Sequence, residues 1–133
     1  MRNSYLRTKT TVSMLNYHFV FCPRYRRKIF DIPGVEARFK EITAEQCLRN
    51  GIGIIAMECH HDHAHIFLSA PPDLSPSEIM NRVKGYTSWT LRKEFPKLSR
   101  MPSLWTRSFF VSTAGSVSVE TIRTYVESQK TRA

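Results

Sequence analysis

Nowhere in the sequence do eighteen apolar residues run together, so no segment is suited to cross a bilayer as a helix. The basic opening, Met1 to Thr11, is not followed by the apolar stretch and small-residue cleavage site of a secretory signal. Cysteine is scarce. Its 3 residues, at positions 22, 47 and 59, are odd in number and widely spaced, which argues against a disulfide framework and for a reducing, cytoplasmic setting. No Gly-rich phosphate loop is present, so no nucleotide cofactor is expected. Repeats, low-complexity tracts and long linkers are missing too, and the 133 residues read as one domain. Acidic side chains are outnumbered: 11 Asp plus Glu face 20 Lys plus Arg, a net charge of +9. Such an excess on a small body favours an anionic partner, without choosing among nucleic acid, an acidic protein and a membrane surface.

The segment Met14 to Phe21 carries aromatics and short apolar runs with no turn residue, and predicts a strand. Pro33 and Gly34 open a helix to about Asn50, with a stripe of Val35, Phe39, Ile42 and Gln46 and with Ala37, Ala44 and Leu48 beside it. Gly51 to Glu58 and His63 to Ser69 predict a hairpin around a Cys59–Asp62 turn. Ser75, Pro76 and Glu78 make a capping box with a favourable proline, opening a helix to about Phe95 with Ile79, Val83, Tyr86 and Thr90 on one face. Trp105 to Ser112 predicts a fourth strand, and Ser116 or Ser118 caps a last helix. The order β-α-β-β-α-β is that of an α+β, ferredoxin-like or RRM-like plait with an antiparallel sheet. We therefore expect a body over 12–112, a hinge over 113–117 containing Ala114 and Gly115, and a C-terminal helix over 118–131.

His63 and His65 flank Ala64. In a strand, residues two apart share a face, which sets two imidazoles about 6.5–7 Å apart along the backbone and within reach of one divalent ion. Ala64, Ile66 and Leu68 then face the core. The same pattern is also that of two ordinary surface histidines; the polar turn, Asp62 and the basic chain favour a site. Cys59, His60 and His61 enlarge the donor set, but a structural zinc site needs a second pair of ligands. Cys22 and Cys47 fall on a strand end and a helix, so Cys59 reads as a small side chain at a strand end.

Tyr125 and Gln129 stand four apart in the last helix and so share a face, with Ile122 and Val126 as an adjacent apolar strip. A tyrosine on an amphipathic helix is ordinarily packing. Beside the histidine pair it has a chemical alternative, because two neutral imidazoles and an amide oxygen leave a divalent cation its charge and open positions. Such an ion polarises a phosphodiester. The donors suit magnesium or manganese, the imidazoles leaning toward manganese. A phenol titrating near pH 10 needs activation before it attacks phosphorus.

These residues resemble the HUH-type single-tyrosine transposases of small insertion sequences that move as single-stranded DNA. The matching pieces are Asn16–Val20, Asp62–Phe67 with Ala70–Pro72, Lys84–Ser88, Leu104–Phe110 leading to Thr113–Gly115, and Tyr125–Gln129. They run in family order over nearly the whole chain. The resemblance implies that His63, His65 and Gln129 ligate the metal and that Tyr125 is the nucleophile, leaving a 5'-phosphotyrosine link and a free 3'-OH. It further implies a homodimer in which the tyrosine helix is able to complete the other subunit's histidine site, leaving a cis or a trans arrangement open, together with recognition of a DNA hairpin at each element end, an Ala114–Gly115 hinge, and no need of ATP. Strand transfer swaps one phosphodiester for another, so a small domain without a nucleotide loop suffices. Three features depart from the usual pattern: Ala64 is smaller than the common branched residue, His60 and His61 are extra, and only 4 residues follow Gln129 to support the helix. The extra imidazoles bind phosphate, bind stray metal or have no role.

The densest positive cluster is Arg24, Arg26, Arg27 and Lys28, with Tyr25 interleaved. We expect this cluster, with Arg82 or Lys84, to contact a hairpin backbone, because phosphate contacts fix position. Tyr25 is placed to stack on an unpaired base, whereas Trp89 and Phe95 are expected in the core. The readings from other classes are a non-catalytic plait-type nucleic-acid-binding module and a replication or relaxase-like nickase.

Overall fold

Two short strands, Leu6–Arg7 (β1) and Val12–Ser13 (β2), pair antiparallel ahead of Leu15–Phe21 (β3). Then come Val35–Arg49 (α1), Gly53–His60 (β4), His63–Ala70 (β5), Pro76–Glu94 (α2), Phe110–Ser112 (β6) and Val119–Ser128 (α3). The computed structural model describes residues 6–7, 12–13, 15–113 and 119–129; the expected Ala114–Gly115 hinge and Ser116 or Ser118 cap lie outside them. The main sheet has the order β4-β5-β3-β6 with every neighbour antiparallel. That is the β-α-β-β-α-β plait, with α3 as an additional C-terminal helix.

Each element starts and stops for a local reason. Ser75 Oγ accepts from Glu78 N at 3.1 Å while the Glu78 carboxylate accepts from Ser75 N at 3.0 Å, and Pro76 fills the first helical turn. Asn50 ends α1, and Gly51 follows at φ 66°, where a side chain is disfavoured. Arg38 grips the Glu94 carboxylate with two bonds of 2.8 and 3.0 Å, tying α1 to α2.

Strand alternation then divides the sheet into two faces. Phe19 and Phe21 of β3 and Ala64, Ile66 and Leu68 of β5 meet Phe39, Ile42, Ile79, Met80 and Val83 of the two helices in the main core. Trp105 lies edge-on to Phe21 at 4.8 Å, and its indole N–H donates to Thr87 Oγ1 at 2.9 Å. The opposite face carries His18, Val20, His63, His65 and Phe67. There a second, smaller cluster joins Val20 and Cys22 to Val126 of α3, with Phe110 and Tyr125 against it.

Five expectations shift. The hairpin turn is two residues, not four: β4 continues through Cys59 to His60, which pairs with His63 across His61–Asp62. The last strand spans only Phe110–Ser112, because the carbonyls of Thr106, Arg107 and Ser108 turn to Lys84 Nζ (2.6, 3.4 and 3.1 Å) instead of to a ladder partner. Thr43 and Cys47 complete the α1 stripe, while Ala37, Ala44 and Leu48 are exposed. On α2 the buried row steps from Val83 to Thr87 and Leu91, not to Tyr86, since Thr87 bridges Trp105 and the Val83 carbonyl. Trp89 is accordingly 59% exposed and not a core residue; Phe95 does pack against the core.

Candidate active site

The β4–β5 hairpin sets His60 opposite His63 and Glu58 opposite His65. A register shift between Ile54 and Ala56 makes this possible. Ile54 faces the helix layer, yet beyond the shift Ala56, Glu58 and His60 face the open side and Met57 and Cys59 the core. One ring nitrogen from each of His60, His63 and His65 lies within 4.8 Å of the other two. The His60 and His63 rings stack at 4.6 Å, and His65 meets both edge-on at 5.2 and 4.9 Å.

The two expected ligands each have an orienting partner. His63 Nδ1 donates to Asp62 Oδ1 at 2.9 Å, which leaves Nε2 as its free nitrogen. Asp62 Oδ2 in turn accepts from Arg26 at 2.9 and 2.8 Å. His65 Nδ1 stands 3.2 Å from His18 Nε2, and the His18 ring stacks on Phe67 at 4.0 Å. Burial pushes His65 down to about 4, with His63, His18 and His60 adding to the effect. Burial also lowers His63, against the opposing hydrogen bond to Asp62. Burial raises the Asp62 carboxyl, but the bonds from His63 and Arg26 outweigh it and hold the group below its usual range. At neutral pH His63 and His65 thus offer uncharged imidazoles beside a fixed carboxylate–guanidinium pair. Such nitrogen donors fit a divalent transition ion. The thiol is excluded: Cys59 faces the core, and burial pushes it up to about 12. His61 stands apart from the trio, against Asp31.

A cavity of about 410 Å³ opens before the histidines, lined by Arg26, His60, His63, His65 and, from α3, Arg123, Val126 and Glu127. Arg26 also reaches Glu127 at 3.6 Å, tying the hairpin to α3. Tyr125 and Gln129 lie on another face of that helix. Ser108 Oγ donates to Gln129 Oε1 at 3.0 Å and stands 3.1 Å from the Tyr125 hydroxyl. Gln129 is only 2% exposed. The structure therefore brings His63 and His65 together, and Tyr125 and Gln129 together, in two adjoining groups.

Among the expected DNA contacts, Arg26 is engaged by Asp62, Lys84 by three carbonyls and Arg82 by the Asn50 side chain. Burial lowers Lys84 to about 8. Arg24, Tyr25, Arg27 and Lys28 instead line a cavity of about 580 Å³ with Lys97 and Arg100, and none of its lining residues carries a carboxylate. Tyr25 and Arg26 have φ of 59° and 50°, which turns the Tyr25 ring outward to 52% exposure.

Sequence reasoning left His18 and Ser108 without a role and His60 undecided. His18 is legible once strand alternation in β3 is extended to the neighbouring β5. His60 follows from a two-residue turn, which puts it in register with His63. Nothing in the spacing marks Ser108, whose position depends on the Lys84 anchor.

Residues 11–129 match the family model described as Transposase IS200 like. The chain is 34% identical over 117 residues to the transposase for insertion sequence element IS200 of Salmonella typhimurium, covering 85% of this chain and 75% of that one. It is 29% identical over 121 residues to the ISDra2 transposase TnpA of Deinococcus radiodurans, covering 89% and 86%. A Deinococcus radiodurans crystal structure named as a transposase superposes with a TM-score of 0.84 at 25% identity, over 93% of this chain and 97% of that one. A REP-associated tyrosine transposase solved with a REP hairpin shares the fold at a TM-score of 0.58 and 13% identity, over 96% and 67%.

Proposed function

This chain belongs to the IS200-like transposase family, and from that premise we propose that it cuts and rejoins single-stranded DNA at insertion-sequence ends through a 5'-phosphotyrosine intermediate. The observation that carries the reading is the neutral pair of half-buried His63 and buried His65, beside a cavity bordered by the helix that bears Tyr125. In this reading His63, His65 and, once released from Ser108, Gln129 hold Mg2+ or Mn2+, which when bound withdraws charge from the scissile phosphate. Asp62 fixes the His63 ring, and Arg26 fixes Asp62. The Tyr125 oxygen forms the new bond to phosphorus after losing its proton, the bond from phosphorus to the 3'-oxygen breaks, and that oxygen takes up a proton. The reverse attack by a 3'-OH restores the tyrosine and joins a new end.

A homodimer with sites completed by the partner's α3 belongs to the same reading, supported by the tether that keeps Tyr125 and Gln129 at Ser108 in their own chain. The carboxylate-free basic cavity supports a folded DNA end as substrate: its cations suit phosphates, and Tyr25 offers a stacking surface. The test is incubation with single-stranded element-end DNA and Mn2+. A covalent protein–DNA adduct is expected, and it should vanish in Tyr125→Phe. An adduct that persists in that variant removes Tyr125 as nucleophile.

A further inference from the structure

We infer that His60 is a third imidazole ligand, holding the divalent ion in the resting protein while Gln129 is engaged by Ser108. The inference rests on the metal reading of His63 and His65 and adds to it a residue and a state.

Three observations converge on it. His60 offers a ring nitrogen to the same centre as His63 and His65, all within 4.8 Å. Its Nε2 is taken up in a 3.3 Å contact with Glu58 Oε1, which leaves Nδ1 for the ion. Asp62 stands behind His63 and His18 behind His65 in the same way, by hydrogen bonds. The expected amide ligand, meanwhile, is committed elsewhere, because Gln129 Oε1 accepts from Ser108.

Ligands about 2.1 Å from a tetrahedral ion stand about 3.4 Å apart, so the trio must close slightly on binding. His60 is the member able to move, its side chain being 46% exposed at the hairpin end while His63 and His65 are held within the fold. The alternative for His60 is a surface pair with Glu58. Strand alternation argues against that being all, because it puts the ring on the sheet face bearing His63 and His65 and stacks it on His63. Three imidazole nitrogen donors select a first-row transition ion over magnesium. Metal loading then precedes, and does not depend on, the release of α3.

The test titrates the full-length protein, freed of metal by chelation, with Co2+ in the absence of DNA, read by visible absorption and calorimetry. His60→Ala is expected to weaken Co2+ binding about tenfold or more and to alter the visible band, as loss of a nitrogen ligand does. Gln129→Ala is expected to leave both unchanged, and His63→Gln to lose most binding. Mg2+ in about hundredfold excess should leave the Co2+ spectrum in place. Circular dichroism and thermal melting check that each variant folds. Unchanged affinity in His60→Ala, with binding still lost in His63→Gln, overturns the role of His60 alone. If His63→Gln also binds normally, the underlying metal reading falls. A loss in Gln129→Ala equal to that in His60→Ala overturns the resting-state arrangement.

Discussion

The Ser108 hydroxyl donates its hydrogen to the amide oxygen of Gln129 at 3.0 Å, which makes the Tyr125 hydroxyl the donor in its own 3.1 Å contact with Ser108. One serine therefore holds a proposed ligand and a proposed nucleophile, the latter with its proton on. Ser108→Ala removes both bonds and leaves the buried Gln129 amide short of a partner. A hydrogen bond contributes about 1 kcal/mol and an orphaned buried group costs about 1–3 kcal/mol. Amide exchange in α3 should accelerate about tenfold while β3 and β5 keep their protection, and hydrogen-exchange mass spectrometry reads this directly. Unaltered exchange in α3 means that the helix is held by its Val126 packing and not by the serine.

Acid should weaken the metal-free protein before it reaches the usual carboxylate range. The folded-state value for His65, about 4, lies below the 6.5 of an ordinary histidine. As pH falls between those values the unfolded chain takes up a proton that the folded chain refuses, so stability drops through that window and levels below it. At about 1.4 kcal/mol per unit, His65 alone contributes a loss of about 3 kcal/mol. The lowered His63 and His18 act in the same direction, and Asp62 adds its loss below 3.8. Urea midpoints measured with chelator at pH 7 and pH 4.5 should differ clearly, and His65→Phe should narrow the gap. Equal midpoints at both pH values contradict the buried neutral imidazole.

Much of this was legible in the residues because alternation and capping are local rules. His63 and His65 on one strand face, Ser75 with Glu78, and Asn50 before Gly51 all follow from spacing and side-chain chemistry. What was not legible depended on partners distant in sequence. Lys84 bends the Thr106–Ser108 backbone away from the sheet, so the fourth strand is shorter than its apolar pattern and Ser108 falls beneath α3. Thr87 is buried in preference to Tyr86 because Trp105 needs an acceptor. Cations in one short sequence cluster likewise part company: Arg26 turns to Asp62, whereas Arg27 and Lys28 face the basic cavity.

That division predicts two kinds of lysine or arginine variant. Arg27→Ala, Lys28→Ala and Arg100→Ala should each weaken binding of a DNA hairpin and lower the salt slope by about one unit, with melting temperature unchanged. Lys84→Met should do the opposite, costing about 1–3 kcal/mol of stability by leaving three carbonyls short of their shared donor. Fluorescence anisotropy at several salt concentrations, alongside thermal melts, separates them. A Lys84→Met protein that melts normally and binds DNA poorly reverses the assignment.

The arrangement of α3 also makes a prediction about which subunit supplies the tyrosine. In its own chain the helix turns Arg123, Val126 and Glu127 toward the histidine cavity and Tyr125 and Gln129 toward Ser108. Chemistry within one chain requires that helix to rotate in place; chemistry across a dimer requires it to be exchanged. Tyr125→Phe and His63→Ala separate the two. Each alone should form no adduct with single-stranded element-end DNA. Mixed and re-equilibrated in equal amounts, half of the dimers are heterodimers, and an exchanged helix restores one site in each. The adduct should therefore return to about a quarter of the unsubstituted level, carried by the His63→Ala chain because that chain keeps its tyrosine. A mass tag on one variant identifies the carrier. No adduct from the mixture, with hairpin binding intact in both variants, establishes that the tyrosine serves its own histidines.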